Sequence, residues 1–134
     1  VVRSQRQLNW PITSHTSAVP AILPTMRADV ILDHSDTGRR IVIDTKFTSL
    51  LTQGWHREES LRSGHIYQIY AYLRSQEGSG DPMAEHAEGL LLHPAIGIMI
   101  DETVVMQGHA IRFATVDLSA QTSEIRRQLL RLIT

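Results

Sequence analysis

Cysteine is absent from the 134-residue sequence, and lysine occurs once. The first absence removes disulfides, thiolate metal sites and cysteine nucleophiles together, and it suits a reducing compartment such as the cytoplasm. No apolar run approaches the ~18 residues that a membrane-spanning helix needs, and the start lacks the pattern of a signal peptide. No membrane association is expected. The chain begins at Val1 rather than at a methionine, so the expectation is one domain over 1–134 that forms the C-terminal part of a longer protein. Internal repeats, low-complexity tracts, Gly-rich phosphate loops and Ser-His-acid arrangements do not stand out. The 42% hydrophobic and 20% charged residues are the composition of an ordinary folded domain.

A net charge of −1 conceals an asymmetry: residues 1–74 carry nine Lys/Arg against six Asp/Glu, and the remainder four against eight. A polyanion would meet the first half, although a solvated surface explains so small an excess equally well.

The basic residues are otherwise all arginine, so Lys46 marks a place that wants a compact ammonium rather than a planar guanidinium. It closes the strand-like run Arg39-Arg40-Ile41-Val42-Ile43-Asp44-Thr45-Lys46, and Ser35-Asp36-Thr37-Gly38 has the turn chemistry to join that run to Ala28–Asp33 as a hairpin. A turn centred on Asp36 and Thr37 puts Asp29 opposite Asp44 on one side of the sheet, with Lys46 projecting from the same side. Val30, Leu32, Ile41 and Ile43 then share the other side, an apolar face suited to a helix.

Two carboxylates placed opposite each other repel, and a divalent cation would keep both ionised. Oxygen ligands suit Mg²⁺, with Mn²⁺ as a substitute, and the backbone carbonyl of Thr45 would complete the protein's share. An acid, a gap and then Asp-x-Lys is the pattern of metal-dependent phosphodiester cleavage, with Lys46 serving the attacking water.

Elsewhere, Val1–Pro24 reads as the end of a helix or an arm up to Trp10-Pro11, then an irregular connection. Glu58–Gln76 reads as a helix with Ile66, Ile69, Tyr70 and Leu73 on one stripe and His65, Gln68 and Tyr72 along its flank. After a Gly/Pro/acid loop over 77–88, strands are expected at Gly89–Pro94, Ile96–Ile100, Thr103–Met106 and Ala110–Val116, with a closing amphipathic helix over Ser119–Ile133. The order is that of a mixed α/β domain. The seven histidines show no paired ligand spacing, so no zinc site is expected, and His65 is the one that shares a flank with Gln68. Trp55, His56 and Arg57 could touch DNA, but a tryptophan covering a core edge is the simpler role. Arg27 could hold a phosphate or pair with Asp29 or Asp33. Arg39 and Arg40 read as solvated charge.

Met26-Arg27-Ala28-Asp29 and Ile43-Asp44-Thr45-Lys46 resemble the two core motifs of the PD-(D/E)xK nuclease superfamily, and Gln68-Ile69-Tyr70-Ala71-Tyr72 resembles the Gln-x-x-x-Tyr helix of its RecB-like members. More narrowly, Leu23–Asp29, Ile43–Phe47, His65–Tyr72 and Gly89–Pro94, with Val116-Asp117-Leu118, resemble the nuclease part of McrC proteins. The resemblance implies a restriction-endonuclease-like core, a mixed sheet flanked by helices. It also implies a Mg²⁺-dependent DNA endonuclease in which Asp29, Asp44, Lys46, Gln68 and Tyr72 are catalytic and Asp29, Asp44 and Thr45 hold the metal. The implied partners are DNA and a McrB-like AAA+ GTPase subunit that recognises methylated DNA and translocates.

Two departures accompany it. Many superfamily members carry an acidic residue on a helix before the first motif, whereas residues 1–24 contain no Asp or Glu. Ala28 stands where the superfamily name has proline. The alternative function is a catalytically inactive nuclease-like adaptor that binds and stimulates the GTPase, and intact Asp29, Asp44 and Lys46 argue against it. A plain α/β interaction domain would require every motif match to be accidental.

Overall fold

A computed structural model describes residues 1–52 and 60–134. In chain order the elements are β1 (Val2–Leu8), α1 (Val19–Ile22), β2 (Met26–His34), β3 (Arg39–Thr45), β4 (Leu51–Thr52), β5 (Ser60–Leu61), α2 (Ser63–Ser75), α3 (Pro82–Glu85), β6 (Glu88–Pro94), β7 (Asp101–Met106), β8 (His109–Val116) and α4 (Thr122–Ile133). Six strands form one sheet in the order β1-β2-β3-β6-β8-β7, and β4 and β5 form a separate pair. The β1-β2-β3 side is antiparallel, β3-β6-β8 is parallel, and β7 returns antiparallel along β8. The fold is mixed α/β and fits a restriction-endonuclease-like core.

The hairpin has the expected register, with pairs running from His34↔Arg39 to Val30↔Ile43. Gly38 adopts φ 67°, a left-handed value that a Cβ would penalise, and so lets the four-residue turn close. Strand alternation then divides the core. Ile31 and Val42 pack with Ile69, Tyr72 and Leu73 of α2, together with Leu91 and Ile111. Ile41 and Ile43 pack on the opposite face with Leu90, Ala114, Val116 and Leu132 of α4, and Val30 and Leu32 lie against this cluster. The helix that covers the expected apolar face is therefore α4, while α2 covers the face of Asp44 and Lys46.

A close approach sets the seat of α2. A Cβ on Gly89 would lie 2.8 Å from Ile69 Cγ1 and 3.1 Å from Leu73 Cδ1. Only a residue without a side chain lets the helix sit this low on β6.

The structure differs from the sequence reading in several places. Residues 2–8 form an edge strand rather than a helix end. Only Leu8 is buried in it, so β1 lacks the alternating apolar face by which a strand is recognised. Trp10 tethers the following connection by donating its indole N–H to the Pro24 carbonyl at 2.7 Å. Ile96–Ile100 is not a strand: Gly97 turns the backbone to φ 75°, and Ile96, Ile98 and Met99 are exposed. Helix α2 begins at Ser63, after the β5 residues Ser60 and Leu61. Trp55, His56 and Arg57 lie outside the described residues.

Arg39 and Arg40 are not solvated charge. Arg39 forks onto both carboxylate oxygens of Glu88 at 2.7 and 2.9 Å. Arg40 forks onto Asp33 at 2.7 and 2.8 Å and reaches Asp81 at 2.7 Å. Bidentate geometry of this kind makes them clamps between β2, β3, β6 and the start of α3.

Candidate functional site

Asp44 is the penultimate residue of β3 and, at 2% exposure, a buried carboxylate. Lys46 follows just past the strand end. Its backbone N–H donates to the Leu92 carbonyl at 3.0 Å, which continues the parallel pairing with β6. Alternation sends the Asp44 and Lys46 side chains to the α2 face, where Lys46 Nζ stands 2.7 Å from Asp44 Oδ2 and donates to Gln68 Oε1 at 2.8 Å. Gln68 Nε2 in turn donates to the Tyr72 hydroxyl at 2.7 Å. Gln68 and Tyr72 are one helical turn apart, as a face of α2 aimed along the strand end requires. The structure thus brings four of the expected site residues into one chain of contacts, Asp44-Lys46-Gln68-Tyr72.

Asp29 belongs to the same end of the hairpin but has different partners. Its Oδ2 accepts from both the backbone N–H and the Oγ1 hydroxyl of Thr45, each at 2.8 Å. Gln5 Nε2 donates to its Oδ1 at 3.4 Å. The carboxylate is thereby fixed against the strand that carries Asp44. Thr45, expected to offer a backbone carbonyl, orients Asp29 through its N–H and side chain. Arg27 is exposed and, among the described residues, forms no ion pair with either Asp29 or Asp33.

Two histidines adjoin this arrangement. His65 of α2 and His93 of β6 have ring centroids 5.4 Å apart at a tilt of 37°. His93 Nδ1 lies 2.8 Å from the Thr48 carbonyl. A carbonyl can only accept, so Nδ1 carries the proton and Nε2 presents a lone pair. Burial holds both imidazoles below their ordinary pKa; the Lys46 charge lowers them further and the Asp44 charge acts in the opposite direction. His93 went unnoticed in the sequence because its place depends on the β3-β6 pairing, which sets Leu91 beside Asp44 and so sends His93 to the same face.

The donor set can be tested against a divalent cation. Among the described residues, the buried side-chain polar atoms without a hydrogen bond are Asp44 Oδ2, His65 Nδ1 and His93 Nε2. Asp44 Oδ2 has the Lys46 ammonium as its ion-pair partner at 2.7 Å. Native interiors leave few such atoms, and the Asp44 charge acts on both of these histidine rings. Asp44 Oδ2 and the second lone pair of Asp29 Oδ1 are oxygen donors of the kind Mg²⁺ takes, and Mg²⁺ is usually content with one or two carboxylates, waters and phosphate oxygens. No cluster of three or more His, Cys, Asp or Glu ligands occurs among the described residues, so the set does not resemble a protein cage for zinc. The residues present fit a hard, partly solvated cation.

No helix among the described residues is long and apolar enough to cross a membrane. No curated protein matches the chain. A family model described as McrBC 5-methylcytosine restriction system component matches residues 2–94, more than half of the sequence and every site residue named above. The chain accordingly belongs to the McrBC 5-methylcytosine restriction system component family.

Proposed function

We propose that this chain is the DNA-cleaving, McrC-like component of a modification-dependent restriction system, a Mg²⁺-dependent endonuclease of the PD-(D/E)xK superfamily working in the cytoplasm with a McrB-like AAA+ GTPase. The observation that carries this reading is the buried Asp44 with the Lys46 ammonium 2.7 Å from its Oδ2, a lysine held in place by Gln68 and Tyr72 at the strand end where Thr45 also fixes Asp29.

In this reading Asp29 and Asp44 hold the cation, with the Thr45 carbonyl beside them. Mg²⁺ bound there would supply charge to offset that gained by the phosphate oxygens and would acidify water. Lys46 orients the attacking water and brings its own positive charge to the scissile phosphate. Gln68 keeps the ammonium from folding wholly onto Asp44, and Tyr72 fixes the rotamer of Gln68. The Thr45 N–H and hydroxyl keep Asp29 turned toward β3, which sets the spacing of the two carboxylates before any ligand arrives.

The test is cleavage of plasmid DNA, methylated and unmethylated, by this chain and its Lys46→Ala variant, with Mg²⁺ or Mn²⁺ and with or without a GTPase partner. Metal-dependent cutting that the variant lacks supports the reading. Failure to cut beside a partner that binds the chain and hydrolyses GTP would replace it with the adaptor role.

A further inference from the structure

Gln5 has an unusual backbone. It lies within β1, opposite Asp29 in the antiparallel register that runs from Val2↔Leu32 to Leu8↔Met26. Its φ is 50°, in the left-handed region that a non-glycine residue enters at a cost. Among the described residues, the other non-glycine residue with positive φ is Gln107, beside Gly108 in the two-residue turn that joins β7 to β8. A turn of that length demands such angles. No turn explains Gln5, which sits mid-strand, and no packing does either, because the residue is exposed. Its amide reaches Asp29 Oδ1, the oxygen that Thr45 leaves free. Strain that persists without a topological cause is commonly found where it positions a functional group.

We infer that Gln5 is a positioning residue for the cation site: its strained backbone aims the side-chain amide at Asp29 Oδ1 and fixes the lone pair that faces the metal. This rests on the proposed metal-dependent function. It also gives the N-terminal strand a part in the site although that strand holds no acidic residue. Thr45 and Gln5 then grip the two oxygens of Asp29 from β3 and β1, the strands on either side of β2. An outer partner that orients a ligating carboxylate typically matters to metal affinity by an order of magnitude or more.

The probe is Mn²⁺, with binding to the whole chain followed by electron paramagnetic resonance and unfolding followed by heat. Gln5→Gly removes the amide and the strain together. Its Mn²⁺ dissociation constant is expected to rise about tenfold, while its melting temperature rises by about 3 °C because the backbone angle no longer costs energy. Gln5→Asn keeps a residue that tolerates positive φ but shortens the reach by one methylene. It is expected to weaken Mn²⁺ binding at an unchanged melting temperature. Unchanged Mn²⁺ affinity in both variants overturns the inference, as does weaker binding accompanied by a lower melting temperature in Gln5→Gly, which would make the role structural. If wild-type protein shows no saturable Mn²⁺ binding, or binding that survives Asp29→Ala, the metal-dependent reading itself falls.

Discussion

Asp44 Oδ2 and Lys46 Nζ stand 2.7 Å apart, and Gln68 holds the same ammonium at 2.8 Å. The carboxylate is almost wholly buried, while the lysine side chain keeps 23% of its exposure. Truncating the lysine therefore leaves a buried charge without compensation. Lys46→Ala is expected to lose about 2–3 kcal/mol of stability in metal-free urea unfolding. Added Mg²⁺ should restore the variant more than it stabilises the wild type, because the cation would replace the missing charge. Equal shifts in the two proteins would show that no cation is drawn to Asp44.

Gln68→Ala separates support from folding. Gln68 is only half-buried, so stability should change by less than about 1 kcal/mol, whereas under the proposed nuclease function the rate of DNA cleavage should fall about ten- to a hundredfold as Lys46 loses its anchor. Tyr72→Phe, which removes only the hydroxyl that Gln68 donates to, should give a smaller loss in the same direction. A cleavage rate indifferent to both changes would detach α2 from the chemistry.

Acid should weaken the clamp at the other end of the hairpin. The guanidinium of Arg40, reinforced by Arg3, holds the Asp33 carboxyl down at about 2. A depressed carboxylate pKa stabilises the fold at pH values above its unfolded value of 3.8, and the contribution is lost as pH falls from there through about 2. The amount at stake is about 2 kcal/mol. Asp33→Asn should flatten the pH dependence of urea unfolding in that window and lower stability above it. An unchanged slope would remove Asp33 from the acid response.

Gly89→Ala should be unusually costly for so small a change. The added methyl would meet Ile69, a fully buried residue of α2, and overpacking of this kind typically costs about 1–3 kcal/mol. Because the helix must rise, cleavage should suffer beyond the stability loss through the Gln68-Lys46 contact. A variant with wild-type melting temperature and rate would show that the helix yields without consequence.

The hairpin, its register and the face shared by Asp44 and Lys46 were legible in the sequence because period-two alternation and one glycine turn determine them locally. Gln68 and Tyr72 were legible through the resemblance alone; their helical spacing says nothing of which strand end they meet. The strand β1 escaped because an exposed edge need not alternate, and with it went Gln5, whose significance lies in a backbone angle that residue identity does not announce. His93 escaped because strand pairing brings it to the site across residues distant in sequence. Arg39 was misread for a related reason, since its partner Glu88 becomes a neighbour only after the chain crosses over; Arg40 faces Asp33 within the hairpin register itself, and that pairing was open to the sequence.

Strand β3 has an antiparallel neighbour on one side and a parallel neighbour on the other. Asp29, Asp44 and Lys46 depend on a turn of four residues, whereas Gln68 and Tyr72 arrive with a crossover spanning residues 46–87. Closing the short loop costs far less chain entropy than closing the long one. The carboxylate half of the site thus belongs to a local unit and the lysine's support to a global one. Partial opening of the crossover would silence the lysine while leaving both carboxylates where they are.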